Sequence, residues 1–353
     1  MAHAVILEGA RTPFGKFGGG LAGLSAIELG GHAIRHSIER AGINKDEVEH
    51  TVIGCVVQAG LGQVPGRQAN FAAGLRREVT NDTINRVCGS GMRAIYMADS
   101  FIRLGDHNVV IAGGMESMSN APYLLRGARW GLKAGDSALV DAMQYDGLID
   151  PLLNLRMGEE GDRVAAEERV SREDQDAWAL RSHQRAIAAR ALLAEEIAPV
   201  IIPDKKKGDI TIEYDESPRA DTSLEALAKL KPAFTPDGSI TAGNAPGIND
   251  GAAALVLTSA DYAKAHRLTP LAEIISYGQA AWDTPYLAYV PAMAAKQALQ
   301  RAGLSIGDID LIEINEAFAS VVLTSARMLE ADLDKINVNG GAIALGHPIG
   351  ASG

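Results

Sequence analysis

Cysteine is nearly absent from this sequence. Two in 353 residues, Cys55 and Cys88, are too few for a disulfide framework or a cysteine-rich metal site, and the number suits a reducing compartment. Positive charge is also short: Lys+Arg 33 against Asp+Glu 44 gives a net charge of −11. A nucleic-acid partner recognised through a basic surface is therefore not expected, and any anionic ligand must be met by local positive groups. No basic segment leads into a long apolar run, at Met1-Ala2-His3-Ala4-Val5 or later, so neither export nor a membrane partner is expected and the localisation reads as cytoplasmic. Aromatics are scarce at 5%, whereas hydrophobic residues reach 47% and glycines number 38. The chain has material for two or three units at about 150 residues each, built with tight turns and close helix packing.

Short β-branched runs alternate with segments of helical periodicity, the pattern of an α/β protein with parallel sheets covered by helices. Strands are expected at Ala4 to Leu7, Thr51 to Val57, Asn81 to Val87, Asn108 to Gly114 and Gly251 to Ser259. Helices are expected at Leu24 to Ala41, Gln68 to Leu75 and Ser90 to Leu104. From 119 to 248 charge density rises and strand signals thin, with one polar helix from Glu173 to Ala191, so this stretch reads as an insertion. After 268 the order restarts. Leu271 to Tyr277 pairs with the first strand, Val290 to Ala302 with the first helix, Leu311 to Ile314 with the second strand and Val338 to Gly341 with the third.

The domains are accordingly 1–118 plus 249–267 as a first half, 119–248 as the inserted domain, and 268–353 as a second half. Gly54 and Cys88 are 34 positions apart, Asn315 and His347 32, so duplication puts Cys88 and His347 at equivalent helix beginnings facing each other. The second pass reads as unfinished. By analogy with the first, roughly 35 to 45 further residues would supply a helix and two strands.

Cys88 is the candidate nucleophile, because a cysteine at a helix start sits among unpaired N–H groups that favour thiolate, and Gly89 and Gly91 clear a path for substrate. Cys55, between Gly54 and Val56, reads as a packing residue. His347, ahead of a proline that suits a helix start, can take the thiol proton or donate to a thioester oxygen. Asn315 follows an apolar strand at the carboxyl edge of the sheet and can hold a water or an oxyanion, with Glu316 fixing the loop. Gly18-Gly19-Gly20-Leu21-Ala22-Gly23 satisfies G-x-G-x-x-G but does not directly follow a strand, so dinucleotide binding is not expected.

Asn85-Arg86-Val87-Cys88-Gly89-Ser90-Gly91, Gly113-Gly114-Met115-Glu116-Ser117-Met118-Ser119, Gly243-Asn244-Ala245 with Asn249-Asp250-Gly251, Asn315-Glu316-Ala317-Phe318 and Gly346-His347-Pro348-Ile349-Gly350-Ala351-Ser352-Gly353 together resemble the thiolases. The likeness runs from Val5 and the Ala10 to Gly15 segment to the last residue. It implies the thiolase fold, two duplicated mixed-sheet halves in an αβαβα layered arrangement with an inserted loop domain. It also implies an acyltransferase: Cys88 becomes acylated, His347 activates it, and Asn315 positions a water that completes an oxyanion hole with the histidine. Acetyl-CoA, 3-ketoacyl-CoA and CoA are the implied partners. Coenzyme A is substrate and product, with no cofactor and no metal, because a thioester polarises its own carbonyl and acidifies the adjacent carbon.

In the insertion the likeness assigns Arg219 to the nucleotide end of CoA. Phe234, Ala242, Met157 and Phe318 fall on the pantetheine path. Arg156 stands where acetoacetyl-CoA thiolases usually have histidine, and Pro246, which offers no hydroxyl, stands where a serine is common. Lys205-Lys206-Lys207 reads as a solvated loop. Tyr123 to Gly147 falls where thiolases carry their tetramerisation loop, which implies a homotetramer, a dimer of dimers. The family's second cysteine, in a Cys-x-Gly motif, has no counterpart among these residues.

The reading is an acetyl-CoA C-acetyltransferase making acetoacetyl-CoA. A 3-ketoacyl-CoA thiolase of fatty-acid β-oxidation is the alternative, and an inactive CoA-binding or scaffold protein is the alternative from another class. A decarboxylating ketosynthase fits less well, since that class pairs its cysteine with two histidines.

Overall fold

The structure, a computed structural model, describes residues 4–203, 206 and 208–353. Its frame is one mixed sheet. β1 (Ala4–Arg11), β2 (His50–Gly54), β3 (Thr80–Ile84), β4 (Val109–Ser117), β5 (Asn249–Ser259) and β6 (Ala272–Glu273) lie in the order β6-β1-β5-β4-β2-β3, and Gly15–Lys16 adds to β5. β4 is buried along its whole length, as a central strand covered on both faces must be. It runs parallel to β2, with Gly54 beside Gly114, and antiparallel to β5, with Glu116 beside Gly251.

The helices follow from local chemistry. α1 (Ala26–Ala41) opens on Ser25, which forms a capping box with Glu28, and closes on Gly42 at φ 65°, where a side chain would be strained. With α2 (Pro65–Ala73) it covers one face through Leu29, Ala33, Ile34 and Ala69 against Ile53, Ile111 and Met115. α3 (Ser90–Leu104) covers the other through Ala94, Ala98 and Ile102 against Val52, Val110 and Leu257. The insertion contributes α4 (Met157–Glu167) and α5 (Arg172–Ala188). It is bolted to the sheet by Arg11, whose guanidinium donates to Asp215 at 2.6 and 2.9 Å and to Glu196 at 2.6 Å.

The second half departs from its expected pattern. α6 (Val290–Ala302) forms as read, and α7 (Ala319–Leu329) follows Asn315. Of the three expected strands, Leu271 to Tyr277 pairs only as the two-residue β6, Leu311 to Ile314 keeps a single bridge from Ile312 to Ile336, and Val338 to Gly341 is not a strand. The reason is a lack of backbone partners: Leu271, Ile275 and Leu311 are exposed, and a strand without neighbours gains little from being extended. Pro348 opens a helical turn, with Ala351 N and Ser352 N donating to its carbonyl at 2.9 and 3.1 Å.

The G-x-G-x-x-G string lies in turns before α1. Glu216 accepts from Lys16 N at 2.7 Å and Gly20 N at 3.0 Å, so a carboxylate already holds amides that a phosphate would need.

Candidate active site

The loop from β3 to α3 is closed by its own side chains. Asn85 Oδ1 accepts from Val87 N at 2.9 Å, and Ser90 Oγ accepts from Arg86 N at 2.9 Å while donating to Val87 O at 2.6 Å. They hold Val87 at φ 46°, a left-handed conformation that costs a β-branched residue on the order of 1–3 kcal/mol. This strained turn presents Cys88 at the carboxyl edge of the sheet.

His347 arrives from the second half. Its N–H donates to Asn249 Oδ1 at 2.9 Å, and Asn249 Nδ2 donates to Gly15 O at 2.9 Å. The turn after it lies directly on β2 and β4, since a Cβ on Gly114 would stand 1.9 Å from Gly350 O and one on Gly54 2.7 Å from the same atom. Only glycine permits that approach.

The two halves meet at 3.1 Å between His347 Nε2 and Cys88 Sγ. Asn315 Nδ2 lies 3.3 Å from the same ring nitrogen, and Nδ1 bonds to Ser352 Oγ. The thiol and the amide are both donors, so Nε2 is the acceptor and the ring proton sits on Nδ1, facing Ser352. A hydrogen-bond acceptor is thus aimed at the thiol.

The thiolate that a helix start favours is opposed by its surroundings. Cys88 keeps a partly exposed face, but burial around its sulfur, with a further push from the Glu116 carboxylate, raises it to about 11. Burial lowers His347 to about 4. Desolvation thus acts against both charged forms and opposes the helix end. Cys55 is fully buried, as its packing role requires.

Asn315 owes its place to Glu316. That fully buried carboxylate accepts from Trp178 Nε1 and Ser182 Oγ of α5, each at 2.8 Å, from Asn337 Nδ2 at 3.0 Å and from Ile343 N at 2.9 Å. Asn337 also stands in for a strand neighbour, exchanging two 2.8 Å bonds with Ile314 N and O.

Four of the residues assigned to CoA come together. Met157, Phe234 and Phe318 share one cluster, with the two phenylalanine rings edge to face at 6.0 Å. Arg156 lies over Phe234 at 5.4 Å, donating to its carbonyl at 2.9 Å and pairing with Glu159 at 3.0 Å. Arg156 is therefore engaged at the cluster's rim. Arg219 is exposed and tied to α5 through its N–H to His183 Nδ1 at 3.2 Å, and Ala242 is exposed on the turn that follows Thr241. Lys205 and Lys207 lie outside the described residues. Glu116, Asn249, Asn337 and Ser352 were not singled out in the sequence. Three of them sit inside the quoted motifs, which was the available signal, but their partners are distant in sequence.

No group of three or more His, Cys, Asp or Glu among the described residues could hold a metal ion. No helix among them is long and apolar enough to cross a membrane.

The fold, a mixed sheet covered by helices, together with the match of the chain to known enzymes, defines an acyltransferase. Residues 4–261 match the N-terminal domain of thiolase and residues 268–353 its C-terminal domain. The chain is 48% identical over 355 aligned positions to an acetyl-CoA acetyltransferase of Pseudomonas aeruginosa and 47% to one of Cupriavidus necator. It is 43% identical to a probable acetyl-CoA acyltransferase of Staphylococcus aureus. All of this chain and 90% of each relative are covered. The chain belongs to the thiolase family.

Proposed function

We propose that this enzyme is an acetyl-CoA C-acetyltransferase that condenses two acetyl-CoA reversibly to acetoacetyl-CoA and CoA through an acyl-cysteine on Cys88. The observation that carries this is the 3.1 Å contact between His347 Nε2 and Cys88 Sγ. As the sulfur attacks the thioester carbonyl, its proton passes to Nε2 and then to the departing CoA sulfur, so the acyl-enzyme and free CoA form with no net charge change. Burial that opposes both charged forms suits this order, because a buried thiolate need exist only while substrate is bound. Asn315, once a thioester oxygen or a water replaces its bond to His347, offers an N–H to the developing oxyanion. Condensation then needs a base for the methyl carbon of the second acetyl-CoA. Cys55, buried with its sulfur against Glu116, is not placed for it, and the family's Cys-x-Gly motif does not occur in these 353 residues.

Coenzyme A acts as substrate and product with no resident cofactor, its pantetheine arm along Met157, Phe234 and Phe318, with Ala242 further along and Arg219 toward the nucleotide. The hairpin Tyr123–Leu125 with Leu139–Asp141 carries exposed Tyr123, Trp130 and Leu139, which supports a homotetramer. Two unpaired cysteines support a cytoplasmic setting.

The alternative, a 3-ketoacyl-CoA thiolase of β-oxidation, is favoured by one feature: an open cavity of about 790 Å³ that borders the Cys88 turn at Asn85 and Val87 without being lined by Cys88 itself, and that runs along Ile149, Met157, Trp282 and Tyr286, room for a chain longer than acetyl. Thiolytic cleavage of acetoacetyl-CoA is expected to exceed that of a ten-carbon 3-ketoacyl-CoA in kcat/KM by at least tenfold. The reverse preference would overturn the acetyl assignment.

A further inference from the structure

We propose that Glu116 is a positioning residue that holds the His347 turn against β2 and β4, and that its buried charge adds to the effect of burial on Cys88. This rests on the reading of Cys88 and His347 as the reacting pair. Glu116 is fully buried at the carboxyl end of β4. Its Oε2 accepts from Val56 N at 3.0 Å and from Gly350 N at 3.0 Å, and its Oε1 from Val57 N at 3.1 Å. One carboxylate therefore joins the chain leaving β2 in the first half to the turn carrying His347 in the second. The fit has no slack, because a Cβ on Gly350 would meet Oε2 at 2.7 Å.

Both oxygens already face N–H donors, so the ionised form fits the site and a proton would displace a bond. The titratable groups around it are Cys55, whose sulfur lies 3.9 Å from Oε1, Asp250 on the neighbouring strand, Cys88, and His347 on the turn it holds. Burial raises Glu116 to about 7, with Asp250 adding to the rise, while the three N–H groups oppose it. Ionised Glu116 disfavours a second negative charge on Cys88 and protonated Glu116 does not, so the two titrations are coupled. The same carboxylate that seats His347 thereby adds to the burial that opposes ionisation of the thiol.

Alkylation of Cys88 by iodoacetamide, followed by peptide mass spectrometry across pH 6 to 10, tests this without relying on acyl transfer, so a failed substrate assignment leaves the readout intact. In the wild-type enzyme the logarithm of the rate should rise with pH at a slope below one between about pH 6.5 and 8, where Glu116 gives up its proton, and approach one outside that window. A slope of one throughout overturns the charge effect. Glu116→Gln should restore a slope of one and raise alkylation at pH 8 at least threefold, and a folded variant with an unchanged profile overturns the proposal. Glu116→Asp keeps the charge but cannot span all three amides. It should leave the slope low while the Gly350 amide exchanges hydrogen at least tenfold faster, and unchanged exchange there overturns the positioning role.

Discussion

The two halves place the residues of the candidate site by different means. In the first, Glu116 stands in a paired strand, where ladder register dictates which residue reaches the carboxyl edge, and Cys88 follows four residues after the last pair of β3 on a short turn closed by Asn85 and Ser90. In the second, Asn315 and His347 lie on turns, and buried side chains replace the ladder: Glu316 with its four donors, Asn337 beside Ile314, Asn249 beneath His347. A ladder shares its stability over many bonds, whereas a side-chain network concentrates it in a few atoms. Position in the second half should therefore be easier to lose by single substitutions.

The largest expected effect tests the nucleophile itself. Cys88→Ala should lower acyl transfer at least a thousandfold while the melting temperature stays within a few degrees, since the strained turn is held by Asn85 and Ser90 and not by the thiol. Turnover near wild type would remove Cys88 from the mechanism.

Glu316→Ala probes the comparison directly. It strands the donors of Trp178, Ser182, Asn337 and Ile343, which should cost about 3 kcal/mol in urea unfolding and about tenfold in kcat as Asn315 loosens. Ile111→Val, inside the sheet, should cost about 1 kcal/mol with kcat unchanged. Equal loss of kcat in both variants would dissolve the distinction between ladder and network.

A smaller effect concerns acid. His347 titrates near 4 in the fold against an ordinary 6.5, so between those pH values the unfolded imidazole binds a proton that the native one refuses. Stability falls as pH drops through that window, by at most about 1.4 kcal/mol per pH unit. His183, lowered to about 4 by burial, has the same sign, and Glu116, raised to about 7, has the opposite one. The difference between wild type and His347→Asn isolates the His347 share. Parallel stability curves from pH 7 to 4.5 would show that the imidazole is not held neutral.

Much of the first half was legible in the sequence. There α3 begins and ends where periodicity sets it, and β4 and β5 lie within a few residues of their apolar runs; in the second half α6 does so as well, closing on Gly303. The expected strands of the second half were not recoverable, because an apolar run becomes a strand only beside another. The site was legible as residue types. Cys88, His347 and Asn315 stood out by their glycine-rich or loop surroundings, yet their ionisation did not, since burial is a property of neighbours that the chain brings in from far away.

By itself the sequence determined the alternation of strands and helices, the turns that glycine and Ser90 impose, and the chemical kinds at the site, all consequences of interactions within a few residues. Only the tertiary structure decided that burial opposes the ionisation of Cys88, that Nε2 of His347 is the nitrogen facing it, and that Glu116 bonds to both halves. These depend on desolvation and on hydrogen bonds between residues up to 259 positions apart, and no local pattern carries either.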